Sequence, residues 1–373
     1  MSKYPVVIYG ASGYTGRLVA EYLREYQLPF IAAGRNPDAI QATMDKVPGI
    51  ETAEYKVVKV DHNEASLVEL LRDAQVICNT VGPFARFGTE VVKAALEAGC
   101  HYIDTTGEQQ WMMEMRDAFG DAYAQKGLLL APGTAYMHAV CNIAAEVCLE
   151  EPGIDSLDVA CIPTGVPTVG STRTVMNTAS VEARWLENGE LYLLENSMDM
   201  RSEVVAPGMT TTTLALPWGG GCLPLWYAED SRVNNCKQVT GFTDRQLMEG
   251  ILKICKHYEE NLAQLSQEEQ EAALNELADG VTPGMPPREN RNVHRVVDMC
   301  YGTGNNKVVK CTIVGNSAYL QTGLIQAYVA RQLVRGQSRA VGFQSPCTAI
   351  GHRELFGALQ SYGFAAMKTE VID

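Results

Sequence analysis

Three glycines at three-residue spacing, Gly10, Gly13 and Gly16, follow the apolar run Val6-Val7-Ile8-Tyr9 and lead into a helical pattern from Arg17 to Arg24. The segment reads as strand, tight turn and helix. Glycines at such a turn let the backbone approach a phosphate closely. The first turn of the following helix adds unpaired N–H groups at the positive end of its dipole. The combination reads as a cradle for the pyrophosphate of a dinucleotide, with Gly10, Ser12, Gly13, Tyr14, Thr15 and Gly16 as the contacting residues. The spacing is G-x-x-G-x-x-G rather than the usual G-x-G-x-x-G, so its context has to support it.

That context begins with a second apolar run, Phe30-Ile31-Ala32-Ala33, which ends in Gly34-Arg35. A site specific for NAD carries an acid there, about twenty residues after the glycines, for the ribose 2′-hydroxyl. Arg35 stands in its place, and a guanidinium pairs with a 2′-phosphate through two parallel hydrogen bonds. The expected cofactor is therefore NADP. Asp61 at the end of a third strand, and Val81, Gly82, Pro83 and Phe84 after a fourth, complete the expected cofactor contacts.

Strand patterns at 5–9, 29–33, 55–60, 75–80, 101–104 and 127–131 alternate with helical patterns at 14–25, 37–46, 64–73, 87–98 and 109–125. Gly99 stops the fourth helix. Alternation of this kind predicts an α/β fold with a doubly wound parallel sheet and its ligand at the carboxyl ends of the strands. A helix is expected near 138–148. From 154 to 242 the chain turns rich in Thr, Val, Gly and Pro, as in Met209-Thr210-Thr211-Thr212-Thr213-Leu214-Ala215-Leu216. This predicts a second, α+β domain with a mixed or antiparallel sheet. Helices at 244–264 and 267–278 are expected to start on capping boxes, Thr243 to Gln246 and Ser266 to Glu269. A loop at 279–292, strands at 293–299 and 307–314 and a helix at 317–334 follow. The expected domains are a Rossmann domain at 1–150, a substrate and oligomerisation domain at 151–315, and a segment at 316–373 that returns to the first domain.

Composition narrows the partners. The net charge of −14 argues against a nucleic-acid backbone. It also leaves any anionic ligand dependent on local positive groups. No run approaches the roughly 18 apolar residues of a membrane span, and the first strand starts too early for a signal peptide. Eleven cysteines without a C-x-x-C pair, and six scattered histidines, give no metal spacing. A cytoplasmic homodimer acting on a small molecule, with reduced and mostly buried cysteines and no metal, is the expectation.

The loops after strands four, five and six are the places to look for chemistry. Tyr136 and His138 are the candidate proton donors, or else residues that pack and start the next helix. Arg86, Glu108 and Thr134 are candidate substrate contacts. Asp104 and Glu108 flank a Thr-Thr-Gly turn and either bind an amine or brace the loop. Phe84 and Phe87 either wall a pocket or join the core. Arg173, Trp218 and Tyr227 are weaker candidates in the second domain. Cys141 sits in an apolar helical pattern and reads as a core thiol rather than a nucleophile. Short-chain dehydrogenases share a glycine-rich start but use a Tyr-x-x-x-Lys pair, and that reading is set aside.

The segments Gly10 to Gly16, Ala33-Gly34-Arg35, Thr80-Val81-Gly82-Pro83-Phe84 and Gly99 to Glu108 together resemble the saccharopine dehydrogenase-like family. Within it, the trans-acting enoyl reductase-like branch is the most similar. The resemblance covers about residues 4–135 and implies an NADP-binding oxidoreductase that reduces a C=C, C=O or C=N bond. After strand six that branch tends to have a Gly-Phe-Asp-Ser-like turn. This chain has Pro132-Gly133-Thr134-Ala135-Tyr136 instead, so the substrate stays open. Two alternatives accompany the expectation: net group transfer with a tightly bound cofactor recycled internally, or NADPH binding without catalysis.

Overall fold

The computed structural model describes residues 3–165, 167–177, 182–195, 200–282 and 284–372. The chain begins with β1 (Val6–Tyr9), α1 (Tyr14–Glu25), β2 (Phe30–Gly34), α2 (Pro37–Met44), β3 (Tyr55–Lys59) and α3 (Glu64–Leu71). Next come β4 (Val76–Asn79), α4 (Phe84–Ala98), β5 (His101–Asp104), α5 (Gln109–Gln125), β6 (Leu129–Ala131) and α6 (Tyr136–Leu149). Then follow β7 (Ser156–Pro163), α7 (Val169–Asn177), β8 (Arg184–Glu187), β9 (Glu190–Leu193), β10 (Ser202–Val204), β11 (Thr213–Ala215) and α8 (Leu223–Tyr227). They lead to β12 (Asn235–Thr240), α9 (Arg245–His257), α10 (Gln267–Val281), β13 (Arg295–Gly304) and β14 (Lys307–Asn316). The chain ends with α11 (Ala318–Val334), β15 (Gly342–Phe343), α12 (Pro346–Ile350), α13 (His352–Ser361) and β16 (Ala365–Ile372).

These elements form two compact units. The first holds Met1–Thr106, Trp111–Ala139 and Tyr319–Gly363; the second holds Gly107–Gln110, Val140–Ala318 and Phe364–Asp373.

The sheet of the first unit has the order β15-β6-β5-β4-β1-β2-β3, and all its pairings are parallel. Chain order reverses between β1 and β4, which opens a crevice at the carboxyl ends of the strands there. β1, β2 and β4 are buried at every residue, as strands covered on both faces must be. Tyr9 pairs with both Ala33 and Asn79, so the three central strands end level. α1 buries Tyr14, Leu18 and Tyr22 at four-residue spacing, and Leu23 and Val19 beside them. α11 packs against it so closely that a Cβ on Gly323 would stand 2.7 Å from Leu18 Cβ. The rings of Tyr14 and Tyr319 meet edge to face at 5.4 Å. β15 is a two-residue addition with no sequence signal: Gly342 and Phe343 take up places beside Leu129 and Leu130.

The second unit carries a mixed sheet in the order β16-β14-β13-β7-β12-β8-β9 and a separate pair, β10 and β11. β12 lies parallel to β7, and the other pairings are antiparallel. One apolar cluster gathers Leu214, Leu216, Phe242, Met248 and Ile251 with Leu274 of α10. A second joins Ile162, Val297 and Met299 on one face of the sheet to Ala206 and Ala215.

Several boundaries differ from the sequence reading. α4 starts at Phe84 rather than 87, because Pro83 is suited to a helix entry and takes the N-cap position. α9 is capped by Asp244 rather than Thr243: its carboxylate accepts from the amides of Gln246 at 2.9 Å and Leu247 at 3.1 Å. The Ser266–Glu269 capping box is present. Within the threonine run only Thr213–Ala215 is strand.

Candidate functional site

The glycine turn is bound tightly to its neighbours in the first unit. The amides of Gly10 and Ala11 both donate to Ala33 O, at 3.0 and 3.2 Å, and Gly13 N donates to Gly10 O at 3.0 Å. Gly10 has φ +91°, and a Cβ there would lie 2.7 Å from Thr80 Oγ1 and 2.8 Å from Val81 Cγ2. A Cβ on Gly16 would lie 2.5 Å from Gly10 O. Two of the three glycines are thus fixed by crowding: the turn leaves no room for a side chain between β1 and the loop after β4.

What the turn presents is a helix start without a cap. Gly13 offers no side-chain acceptor to α1, and the first turn of α1 holds no acid. α4 begins the same way at Pro83. α2 and α3 are different: Asn36 and Asn63 cap them at 3.1 and 3.0 Å, and Asp38 and Glu64 stand in their first turns. The two helices beside the crevice therefore start with neither a side-chain cap nor a first-turn acid, which leaves their positive ends to favour an outside anion.

The other expected cofactor residues take the following places. Ser12, Arg35, Asp61 and Gly82 are exposed at the same sheet edge, and Val81 and Pro83 are half-buried. Arg35 follows β2 beside Tyr9; burial holds the Tyr9 hydroxyl above its usual range, and the Arg35 charge opposes that shift. Phe84 is buried against Trp111, with ring centroids 5.8 Å apart, so it belongs to the core. Phe87 stands edge-on to the His62 ring at 5.2 Å. Arg86 is exposed, with its guanidinium over the Phe87 ring at 5.1 Å.

A buried hydrogen-bond chain joins the loops after β4, β5 and β6. Val81 N donates to Asn79 Oδ1 at 3.0 Å, and Asn79 Nδ2 donates to the Tyr102 hydroxyl at 3.0 Å. That hydroxyl donates to Asp104 Oδ2 at 2.8 Å. Asp104 Oδ1 accepts from Thr106 N at 2.9 Å and Gly133 N at 2.8 Å. Burial first, and then the Asp104 charge, push the Tyr102 hydroxyl well above the usual phenol range, so it remains a donor. Asp104 is a brace between loops.

α11 holds the same loops from another side. Gln326 Nε2 donates to Asp104 O at 2.7 Å and Thr134 O at 2.6 Å, and Thr322 Oγ1 accepts from Tyr136 N at 3.1 Å. Thr134 is fully buried and turns its hydroxyl to Ala131 O at 2.8 Å. Tyr136 and His138 both lie buried in the first turn of α6. Glu108 is half-buried and falls in the second unit with Gln109, whose amide holds Arg184 O and Gly221 O at 2.9 Å each.

The weaker candidates of the second unit have structural tasks. Arg173 forms a forked pair with Asp279 at 2.9 and 2.8 Å, and Trp218 Nε1 donates to Thr240 O at 2.7 Å. The buried Tyr227 hydroxyl accepts from Asn142 and donates to Glu146. Cys141 is fully buried, and burial pushes its thiol up to about 11, which suits no nucleophile. The Tyr-x-x-x-Lys spacing does occur once, at Tyr55 and Lys59. It falls on β3, where residues four apart are separated by about 13 Å, and the Tyr55 ring is stacked on Phe30. It is not a helical catalytic pair.

Sequence reasoning missed His62. It follows Asp61 at the end of β3; its Nδ1 lies 2.9 Å from the Tyr9 hydroxyl, and its ring stacks on Tyr9. The signal available was its position one residue beyond an expected cofactor contact.

Two family models match successive parts of the chain. Residues 6–125 match the Saccharopine dehydrogenase NADP binding domain, and residues 139–371 match a family described as a Family of unknown function (DUF5938). A lipid droplet localized protein of Caenorhabditis elegans is 36% identical over 136 residues, 34% of this chain and 32% of that protein. A trans-acting enoyl reductase of Mycobacterium ulcerans is 35% identical over 136 residues, 35% of this chain and 32% of the relative. A human saccharopine dehydrogenase-like oxidoreductase is 30% identical over 147 residues, 36% of this chain and 34% of the relative. The matches thus span about a third of these curated relatives' length. Saccharopine dehydrogenase (L-Glu forming) from Saccharomyces cerevisiae shares the fold over 99% of both chains, with a TM-score of 0.63 at 15% identity.

Proposed function

This chain belongs to the family of unknown function DUF5938, and we propose that it is an NADPH-dependent oxidoreductase that transfers hydride to a C=C, C=O or C=N bond of a small-molecule substrate. The observation that carries the reading is the crowded glycine turn between two uncapped helix starts, in the segment that matches an NADP binding domain. The turn at Gly10 suits a pyrophosphate, because a Cβ there would clash with Thr80 and Val81 and the turn leads into a start of α1 without a side-chain cap. Arg35, exposed at the end of β2 where no acid stands, would pair with the 2′-phosphate. The relatives described as oxidoreductases and an enoyl reductase match over this same third of the chain, which supports a reductase and leaves the substrate open.

NADPH would supply the hydride. The chain itself has to orient the acceptor, exclude water and deliver a proton. Tyr136 and His138 open α6 in a buried setting, and Thr322 fixes the first of them through its amide. In this reading one of the two gives the proton to the reduced atom. Thr134 and the exposed Arg86 border the same sheet edge as positioning groups.

A homodimer and a cytoplasmic location belong to the same proposal. The outer strands β9 and β16 expose Tyr192, Leu193, Val371 and Ile372, which supports association through a sheet edge. The eleven free, buried cysteines support a reducing compartment. No helix among the described residues is long and apolar enough to cross a membrane.

The test is spectroscopic. Purified protein is examined for co-purified dinucleotide and then mixed with NADPH and panels of enones, carbonyls and imines. A fall in NADPH absorbance with one panel supports the reading. Absence of any dinucleotide binding overturns it.

A further inference from the structure

Beneath α6, in the second unit, two thiols and a carboxylate converge from three elements. Cys161 and Asp298 are direct partners on the antiparallel strands β7 and β13, so their side chains leave the same face of the sheet. Cys141 of α6 meets them there, its sulfur 3.6 Å from Asp298 Oδ1. One ligand atom from each residue lies within 4.8 Å of the other two, and all three residues are fully buried. Among the described residues this is the one group of such donors.

From this geometry we infer that Cys141, Cys161 and Asp298 form a binding site for a divalent cation of the zinc class. Thiolate donors select soft or borderline cations over calcium and magnesium. Bonds of about 2.3 Å to sulfur and about 2.0–2.2 Å to oxygen, in a tetrahedron, place ligand atoms roughly 3.5–3.8 Å apart. The sulfur–carboxylate distance already lies in that range, and side-chain rotation closes the rest. Binding breaks two S–H bonds, forms two metal–sulfur bonds and releases two protons to solvent, with no change in oxidation state. The carboxylate gives the third bond and a water the fourth.

A neighbouring tier of thiols provides the contrast. Cys148 lies two turns further along α6, and its sulfur is 3.6 Å from each of the carbonyl oxygens of Cys300 and Val309. That thiol serves as a donor to backbone acceptors. The Cys141 thiol faces a carboxylate instead, the arrangement a cation would join. The site would pin α6 to the sheet of the second unit and is independent of how the cofactor binds.

The test uses the full chain, purified without chelator, loaded with Zn2+ or Co2+ and desalted, with metal measured by mass spectrometry. The expected result is about one ion per chain, and for Co2+ a thiolate charge-transfer band with intense tetrahedral d–d bands. Cys141→Ser and Cys161→Ser should lose the ion, whereas Cys148→Ser should keep it. Should the first two fail to fold, the unaltered chain still decides: its Co2+ spectrum must show thiolate ligation, and chelator must lower its melting temperature. No ion after loading, a spectrum without thiolate ligation, or metal retained in the Cys141→Ser and Cys161→Ser variants would overturn the site.

Discussion

Gln326 of α11 donates its side-chain amide to Asp104 O at 2.7 Å, across 222 residues of sequence, and the same nitrogen reaches Thr134 O at 2.6 Å. One fully buried side chain thereby holds the loops after β5 and β6 together from a helix far along the chain. Gln326→Leu keeps the approximate volume and removes the donor. It leaves two buried carbonyls without that partner, and each such loss costs about 1–3 kcal/mol. A lower midpoint in urea unfolding is expected, with weaker NADPH binding. An unchanged midpoint would show that the two loops hold without α11.

Gly10 and Gly99 separate crowding from backbone strain. Both have positive φ, but a Cβ on Gly99 meets nothing within 4 Å, whereas one on Gly10 runs into Thr80 and Val81. Gly99→Ala should cost about 1–2 kcal/mol of stability and leave cofactor binding intact. Gly10→Ala should displace the loop after β4 and abolish NADPH binding, as read by isothermal titration calorimetry. Equal behaviour of the two variants would contradict the cradle.

His101 gives the first unit a pH dependence of known sign. Its Nδ1 accepts from Leu129 N at 2.9 Å, and burial lowers its pKa below the ordinary histidine value of 6.5. The unfolded chain then binds the proton more readily than the folded one. Stability from this residue is full above about pH 6.5 and declines as pH falls toward the depressed folded value. Melting temperature followed from pH 8 to pH 5 should drop (roughly the span in which histidine titrates), and His101→Asn should flatten part of that drop. A His101→Asn curve parallel to that of the unaltered chain would assign the dependence to other groups.

Tyr136→Phe and His138→Ala test the proton donor. Loss of a general acid typically costs about 100-fold or more in kcat. One of the two variants should show that loss with NADPH binding preserved. Unchanged kcat in both would remove the start of α6 from the chemistry.

The sequence exposes what is local in this protein. The helix at 14–25 and the strand at 101–104 are legible to the residue, because apolar spacing and flanking glycines set them. The mixed sheet is legible as a class only. Its order depends on pairings such as Thr240 with Cys161, which join segments far apart in the chain. β16 escaped notice because it is an outer strand whose residues are mostly exposed, so Lys368 and Glu370 interrupt any apolar pattern. In the candidate site, the glycines and Arg35 announce themselves by spacing. Thr322 and Gln326 do not: they look like ordinary polar residues of a helix until the fold brings them to the amide of Tyr136 and the carbonyls of Asp104 and Thr134. His62 is hidden in the same way, since its partners, Tyr9 and Phe87, lie on separate segments.

The most direct measurement is the affinity for NADPH and NADH, by fluorescence titration, of the unaltered chain and of Arg35→Ala. Arg35 is exposed at the end of β2 with no acid beside it in that turn before Asp38, so it is the group on which discrimination should rest. The account predicts that NADPH binds more tightly and that the preference falls about 10- to 100-fold in the variant, the effect of charge-assisted hydrogen bonds worth about 1.5–3 kcal/mol. Equal affinities in the unaltered chain, or a preference untouched by Arg35→Ala, would contradict it.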